Sequence, residues 1–314
     1  MAGAIRERFP LGAQWPTLDP FLFVAHHDDA YPEGTEDFGP HASLEGRQMG
    51  SDFAAKDGWN MYHGAVVPGF PQHPHRGFET ITYVRRGLID HADSLGAAAR
   101  FGHGDTQWVT AGAGIVHSEM FPLLNGDAPN PTELFQIWLN LPAADKMAPP
   151  AFTMLWAEDT PVVDVTDDEG RTASVTVVVG ELAGRASAAA PPDSWAARDD
   201  AEVAIWHVRL GPGAGGERLD AGTGALVDSD SPVGLVAGPA GVELLVMQGR
   251  PIGEPVAKYG PFVLNDRAGI EAAFADYRAT GFGGWPWDVD GPVHGADPAR
   301  FARHPDSRID RPGR

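Results

Sequence analysis

Two short pairs of side chains carry metal-binding chemistry. His73-Pro74-His75 leads into the run Glu79 to Val84, and His117-Ser118-Glu119 follows a Gly112-Ala113-Gly114 turn. In extended backbone, residues i and i+2 project to the same side, so each pair aims two ligands at one point. A lone His-x-His pair is weak evidence, because surface and hydrogen-bonded histidines are common. Two such pairs on predicted strands, a hairpin's length apart, point to one site. Its expected ligands are His73, His75, His117 and Glu119, with the Gly-Ala-Gly turn swinging the second strand inward. Three neutral imidazoles and one carboxylate suit Fe(II), Mn, Co, Ni, Cu or Zn, and on an octahedral ion they leave two positions open. One transition-metal ion per chain is expected. Ligand types do not separate these ions, and Fe(II) is the expected one.

The elements that must position these groups read as β. Gly (39) and Pro (28) are scattered and punctuate many short β-branched and aromatic runs, the pattern of a sandwich or barrel. Expected strands include Glu79–Val84, Thr106–Thr110, Glu133–Leu139, Ala173–Val179, Val203–Leu210 and Val242–Gln248. Phe135, Ile137 and Leu139 alternate onto one face, as in a half-buried strand. Leu141–Pro150 contains three prolines and reads as a linker. Residues 183–201 read as a loop or short helix. One helix is expected near the C-terminus, capped by Asn265 or Asp266, with Ile270, Phe274 and Tyr277 on one face and Gly281 ending it. These boundaries give a metal-binding barrel over 1–143, a metal-free barrel over 144–265, and a helix with an extended tail over 266–314.

Bulk properties narrow the function classes. In 314 residues, 23 Lys and Arg face 43 Asp and Glu, a formal charge of −20 that repels phosphate backbones. Direct nucleic-acid binding is not expected. The absence of cysteine removes disulfides, thiolate ligands and cysteine nucleophiles. Neither a secretory apolar stretch nor a membrane-spanning run is seen, so a cytoplasmic protein without membrane contact is expected.

Three stretches carry a family resemblance: FPQHPHRGFETITYV, DTQWVTAGAGIVHSEM and ELFQIWLNLP resemble the first cupin domain of the pirin family. Near the C-terminus, PIGEPVAKYGPFVLN and GFGGWPW resemble the family's second-domain and tail segments. The resemblance implies an all-β bicupin, two jelly-roll barrels face to face, with metal only in the N-terminal one. The family's metal ligands fall on the same four residues, and its members bind iron. It also implies flavonol 2,3-dioxygenase activity, with quercetin as reference substrate, O2 as co-substrate and Glu119 as general base. Other members are described as transcriptional cofactors, which makes a metal-binding regulatory protein with protein partners the alternative. A hydrolase or isomerase using the ion as a Lewis acid is a third reading. Residues 20–71 are longer than the corresponding family connection, and either roof the pocket or form an oligomer contact.

Several further residues carry expectations. Glu79 is read as orienting an imidazole, and Arg76 as steadying an anionic substrate or as a surface charge. His26-His27-Asp28-Asp29 reads as a solvated acidic loop. His63 reads as a structural histidine or, second, as part of the pocket mouth, and His91 and His103 as turn residues. Phe78, Trp108, Met120 and Phe121 are candidates to line an apolar cavity. His207 stands alone in the second barrel, too few ligands for an ion.

Overall fold

The computed structural model describes residues 4–167, 170–211, 219–231 and 233–313. Eleven strands come first: β1 (Ile5–Pro10), β2 (Gln14–Trp15), β3 (Phe21–Tyr31), β4 (Gly69–His75), β5 (Phe78–Arg86), β6 (Leu88–Asp93), β7 (Ala98–Gly102), β8 (Thr106–Thr110), β9 (Ile115–Met120), β10 (Asn130–Asn140) and β11 (Ala151–Leu155). The rest are β12 (Val162–Thr166), β13 (Thr172–Val179), β14 (Glu181–Leu182), β15 (Arg185–Ala186), β16 (Ala204–Leu210), β17 (Thr223–Val227), β18 (Val242–Gln248), β19 (Ala257–Tyr259), β20 (Phe262–Leu264), the helix α1 (Arg267–Thr280), β21 (Phe301–Arg303) and β22 (Ile309–Asp310).

Two six-stranded sheets, ordered β11-β8-β5-β10-β3-β2 and β22-β21-β7-β6-β9-β4, form the N-terminal barrel. Its interior holds Tyr31, Val84, Ile89, Phe101, Val109, Ile115 and Phe121. The second cupin unit contributes a four-stranded sheet, β12-β13-β16-β18. Between the units lies a second core, in which Ile81, Tyr83, Trp108, Phe135, Ile137 and Leu139 meet Val178, Val179, Val203 and Ile205. The alternating face expected on Glu133–Leu139 is therefore buried against the other barrel. The intervening residues serve the first barrel: Leu134 lies in its core and Gln136 reaches the site.

The first barrel's sheets continue beyond the proline-rich segment. β11 pairs with β8, and the polar tail supplies β21, which pairs with β7. In α1, the Asp266 carboxylate accepts the Gly269 amide at 2.7 Å, and Gly281 closes the helix in the left-handed conformation. Its Ile270 and Ala273 are buried, with Phe274 and Tyr277 packed beside them against Phe262.

Candidate metal centre

Strand β4 carries His73 and His75, and β9 places His117 directly opposite His73. One ligand nitrogen from each of the three rings lies within 4.8 Å of the others. Their ring centroids stand 4.8, 4.5 and 4.9 Å apart.

Two of the rings have their tautomers set by backbone. His73 Nδ1 lies 2.8 Å from the Pro71 carbonyl, and His75 Nδ1 makes a longer contact, 3.4 Å, with the Pro261 carbonyl. A carbonyl only accepts, so each Nδ1 carries the proton and each Nε2 keeps its lone pair. His117 is fully buried, and neither of its ring nitrogens has a hydrogen-bond partner among the described residues. Such an orphaned imidazole is unfavourable in protein alone, and coordination of an ion relieves it. Burial also keeps the rings uncharged, holding His73 down to about 4 and His75 and His117 well below the ordinary histidine value. Neutral imidazole is the form a metal takes. The residues fit a transition-metal ion.

Glu119 stands beside the trio, its Oε2 3.9 Å from His117 Nε2. Gln136 Nε2 donates to that oxygen at 2.5 Å, and Thr82 Oγ1 donates to Oε1 at 3.2 Å. Burial pushes the Glu119 carboxyl above the ordinary range. Below it lies a space of about 10 Å³, bordered by His27, Thr82, Phe121 and Gln136, room for about one water. Outside, next to His73, opens a cavity of about 380 Å³ lined by His63, Phe70, Pro71 and Gln72.

Against this geometry the comparisons are specific. Residues 4–139 match the family model Pirin, and 195–283 match that of the pirin C-terminal cupin domain. The chain belongs to the pirin family. A Pseudomonas aeruginosa protein provisionally named a quercetin 2,3-dioxygenase is 36% identical over 233 residues, covering 67% of this chain and 78% of that one. A pirin-like protein of Solanum lycopersicum is 34% identical over 238 residues, with 67% and 75% covered. In fold, the crystal structure of a quercetin 2,3-dioxygenase from Acinetobacter baumannii superposes with a TM-score of 0.66 at 24% identity, covering 89% of this chain and 98% of that one.

Other expectations on this pirin-family chain are corrected by the structure. Glu79 orients no imidazole. Its oxygens accept from Thr110 Oγ1 at 2.7 Å and Ser194 Oγ at 2.5 Å, between the barrels. Gly77, at φ 86°, turns the chain between β4 and β5 and resets the alternation, so that Thr82 points inward while Glu79 shares the outward face of Ile81 and Tyr83. Arg76 is occupied by the Ala113 carbonyl at 2.6 Å, Asp276 at 2.8 Å and the Phe282 ring, which ties the ligand strand to α1. Trp108 belongs to the inter-barrel core, while Phe121 borders the small space and Phe78 packs against His75 at 5.1 Å.

Two histidines read as peripheral lie close by. His91 sits in the middle of β6, fully buried opposite Glu119, with its Nε2 3.0 Å from Asp93 Oδ2. The alternation Ile89, His91, Asp93 was the signal that these residues face the interior. His27 lies on β3, where its Nδ1 meets the Tyr62 hydroxyl at 2.8 Å, and that hydroxyl donates to buried Asp29 at 2.6 Å. The expected acidic loop is thus a strand, with His27 and Asp29 turned inward. His103, at φ 55°, does lie in a turn. His207 lies between the Tyr83 hydroxyl at 3.1 Å and Glu243 at 3.4 Å.

Proposed function

We propose that this pirin-family protein is a mononuclear metal-dependent dioxygenase acting on a flavonol-type, quercetin-like aromatic substrate and O2. The observation that carries the reading is the convergence of three neutral imidazoles, His73, His75 and His117, beside the buried carboxylate of Glu119. These four residues would hold one ion, Fe(II) in this reading. When bound, the ion supplies a Lewis-acid and redox centre for oxygen chemistry.

The chain's own groups divide the remaining work. Glu119 takes the proton of the substrate's hydroxyl. Gln136 and Thr82 fix the direction of its two oxygens. The space beneath it has room for about one water. The relatives named as quercetin dioxygenases support the substrate class.

Oxygen uptake by protein reconstituted in turn with Fe, Mn, Co, Ni and Cu, across a panel of flavonols, tests the reading. Turnover is expected, and Glu119→Gln, which keeps an oxygen for the ion but removes the base, should lower it about 10² to 10⁴-fold. No uptake with any pairing refutes the dioxygenase and favours a metal-binding regulatory protein that works through protein partners.

A further inference from the structure

The inner space below Glu119 takes about one water, so an aromatic substrate has no room inside the barrel. The cavity beside His73, at about 380 Å³, falls within the range of small-molecule sites. Phe70 borders both spaces. The room for a ring system beside the imidazoles is therefore the outer cavity, against the segment that precedes β4.

That segment presents aromatic surface. The Phe53 ring is 53% exposed although it is large and apolar, and it packs 5.2 Å from His63 and 5.4 Å from Tyr62, centroid to centroid. His63 is itself exposed, and its ring is pinned through Nδ1 to the Gly50 carbonyl at 2.6 Å. Phe70 stacks on Tyr62 at 5.0 Å and meets His63 edge-on at 5.6 Å. The rings are thus held in place before any ligand arrives, which lowers the cost of binding.

Charge defines the occupant further. Among the described residues no Lys or Arg lines this cavity, the Gln72 amide is engaged by Asp290 at 2.7 Å, and Arg76 is occupied elsewhere. On a chain of formal charge −20, no lining side chain recruits an anion. We propose that Phe53, His63 and Phe70 form a stacking shelf that takes the flat rings of a neutral polyphenol and directs its oxygen-bearing end toward His73. The identity of the reacting end rests on the dioxygenase reading, whereas the shelf does not.

Flavone, which has the ring system without the chelating hydroxyl, and quercetin are titrated anaerobically into metal-free and metal-loaded protein, followed by quenching of protein fluorescence. Flavone should bind the metal-free wild type. Phe53→Ala and His63→Ala should each weaken both ligands, Phe53→Ala by about tenfold, while Phe53→Trp restores binding. Metal content should not move, since neither side chain is a candidate ligand, and the thermal midpoint should shift only slightly, since both are exposed. Unchanged affinities in both alanine variants, or no flavone binding to wild type, overturns the shelf. If the variants lose binding while wild type consumes no oxygen, the shelf stands and the dioxygenase reading falls. Oxygen uptake with shelf-independent binding gives the reverse result.

Discussion

Glu79→Gln separates a buried ionisable group from the packing around it. Glu79 has no exposed surface and accepts hydroxyl hydrogen bonds from Thr110 and Ser194, and burial pushes its carboxyl up to about 7. An unfolded chain would titrate it near 4.5. Between these values the native protein holds a proton that the unfolded chain has released, so stability is full below about 4.5 and falls as pH rises through 7. The displacement corresponds to about 3 kcal/mol, most of it lost between pH 5 and 8. Glutamine keeps the shape, and both hydroxyl partners can rotate to suit an amide. Urea unfolding of metal-free wild type and variant should therefore give similar midpoints at pH 5 and a clear advantage for Glu79→Gln at pH 8. A difference between the two proteins that does not change with pH would show that Glu79 titrates normally, and the burial argument would fail.

Three further outcomes are expected. Elemental analysis should find about one transition-metal ion per wild-type chain and none in the His73→Ala, His117→Ala double variant; full occupancy in that variant refutes the ligand assignment. Anomalous scattering from a metal-loaded crystal should place no peak near His207, whose ring nitrogens face Tyr83 and Glu243; a peak there overturns the metal-free second barrel. Gly77→Ala should cost at least about 2 kcal/mol in chemical unfolding, since the residue has φ 86° and an added Cβ would fall 2.0 Å from the Val263 carbonyl oxygen; a variant as stable as wild type refutes the strain.

What was legible in the sequence had a short period. The His73/His75 and His117/Glu119 pairs depend only on i, i+2 geometry within one strand, and the β4–β9 register brings His73 and His117 together. The α1 cap and its apolar face were readable for the same reason, because both lie within a few turns of one helix. Glu79 was read as an imidazole partner from its place four residues after His75, but Gly77 reverses the backbone between them and turns it to the other barrel. His91 was misread because its neighbour Asp90 looked like a turn residue. In fact Asp90 is fully buried on the opposite face of β6, with both oxygens bonded to buried Arg100 at 2.7 and 2.6 Å. His27 needed Tyr62 and Asp29 as partners, and the pairing of His27 with Tyr62 spans 35 residues with no local signal.

The second cupin unit reaches the candidate metal centre, although the candidate ligands lie on the first barrel's strands. The Pro261 carbonyl sets the tautomer of His75, and the Ser194 hydroxyl holds Glu79 four residues later. Between them, buried Lys146 donates to the Gly77 carbonyl at 2.8 Å, to Asn140 Oδ1 at 2.8 Å and to the Val263 carbonyl at 3.2 Å. Desolvation lowers this ammonium to about 8, so at neutral pH it remains charged and its three acceptors stay engaged. Arg76 adds the tie to Asp276 on α1. The short segment from His75 to Glu79 is thus fixed from the C-terminal side at four successive points, while its imidazole faces the first barrel. The second unit serves the candidate centre for a physical reason: the turn that aims His75 has a left-handed glycine at its centre, and groups outside the first barrel join the Gly112 and Ala113 carbonyls in holding that turn in place.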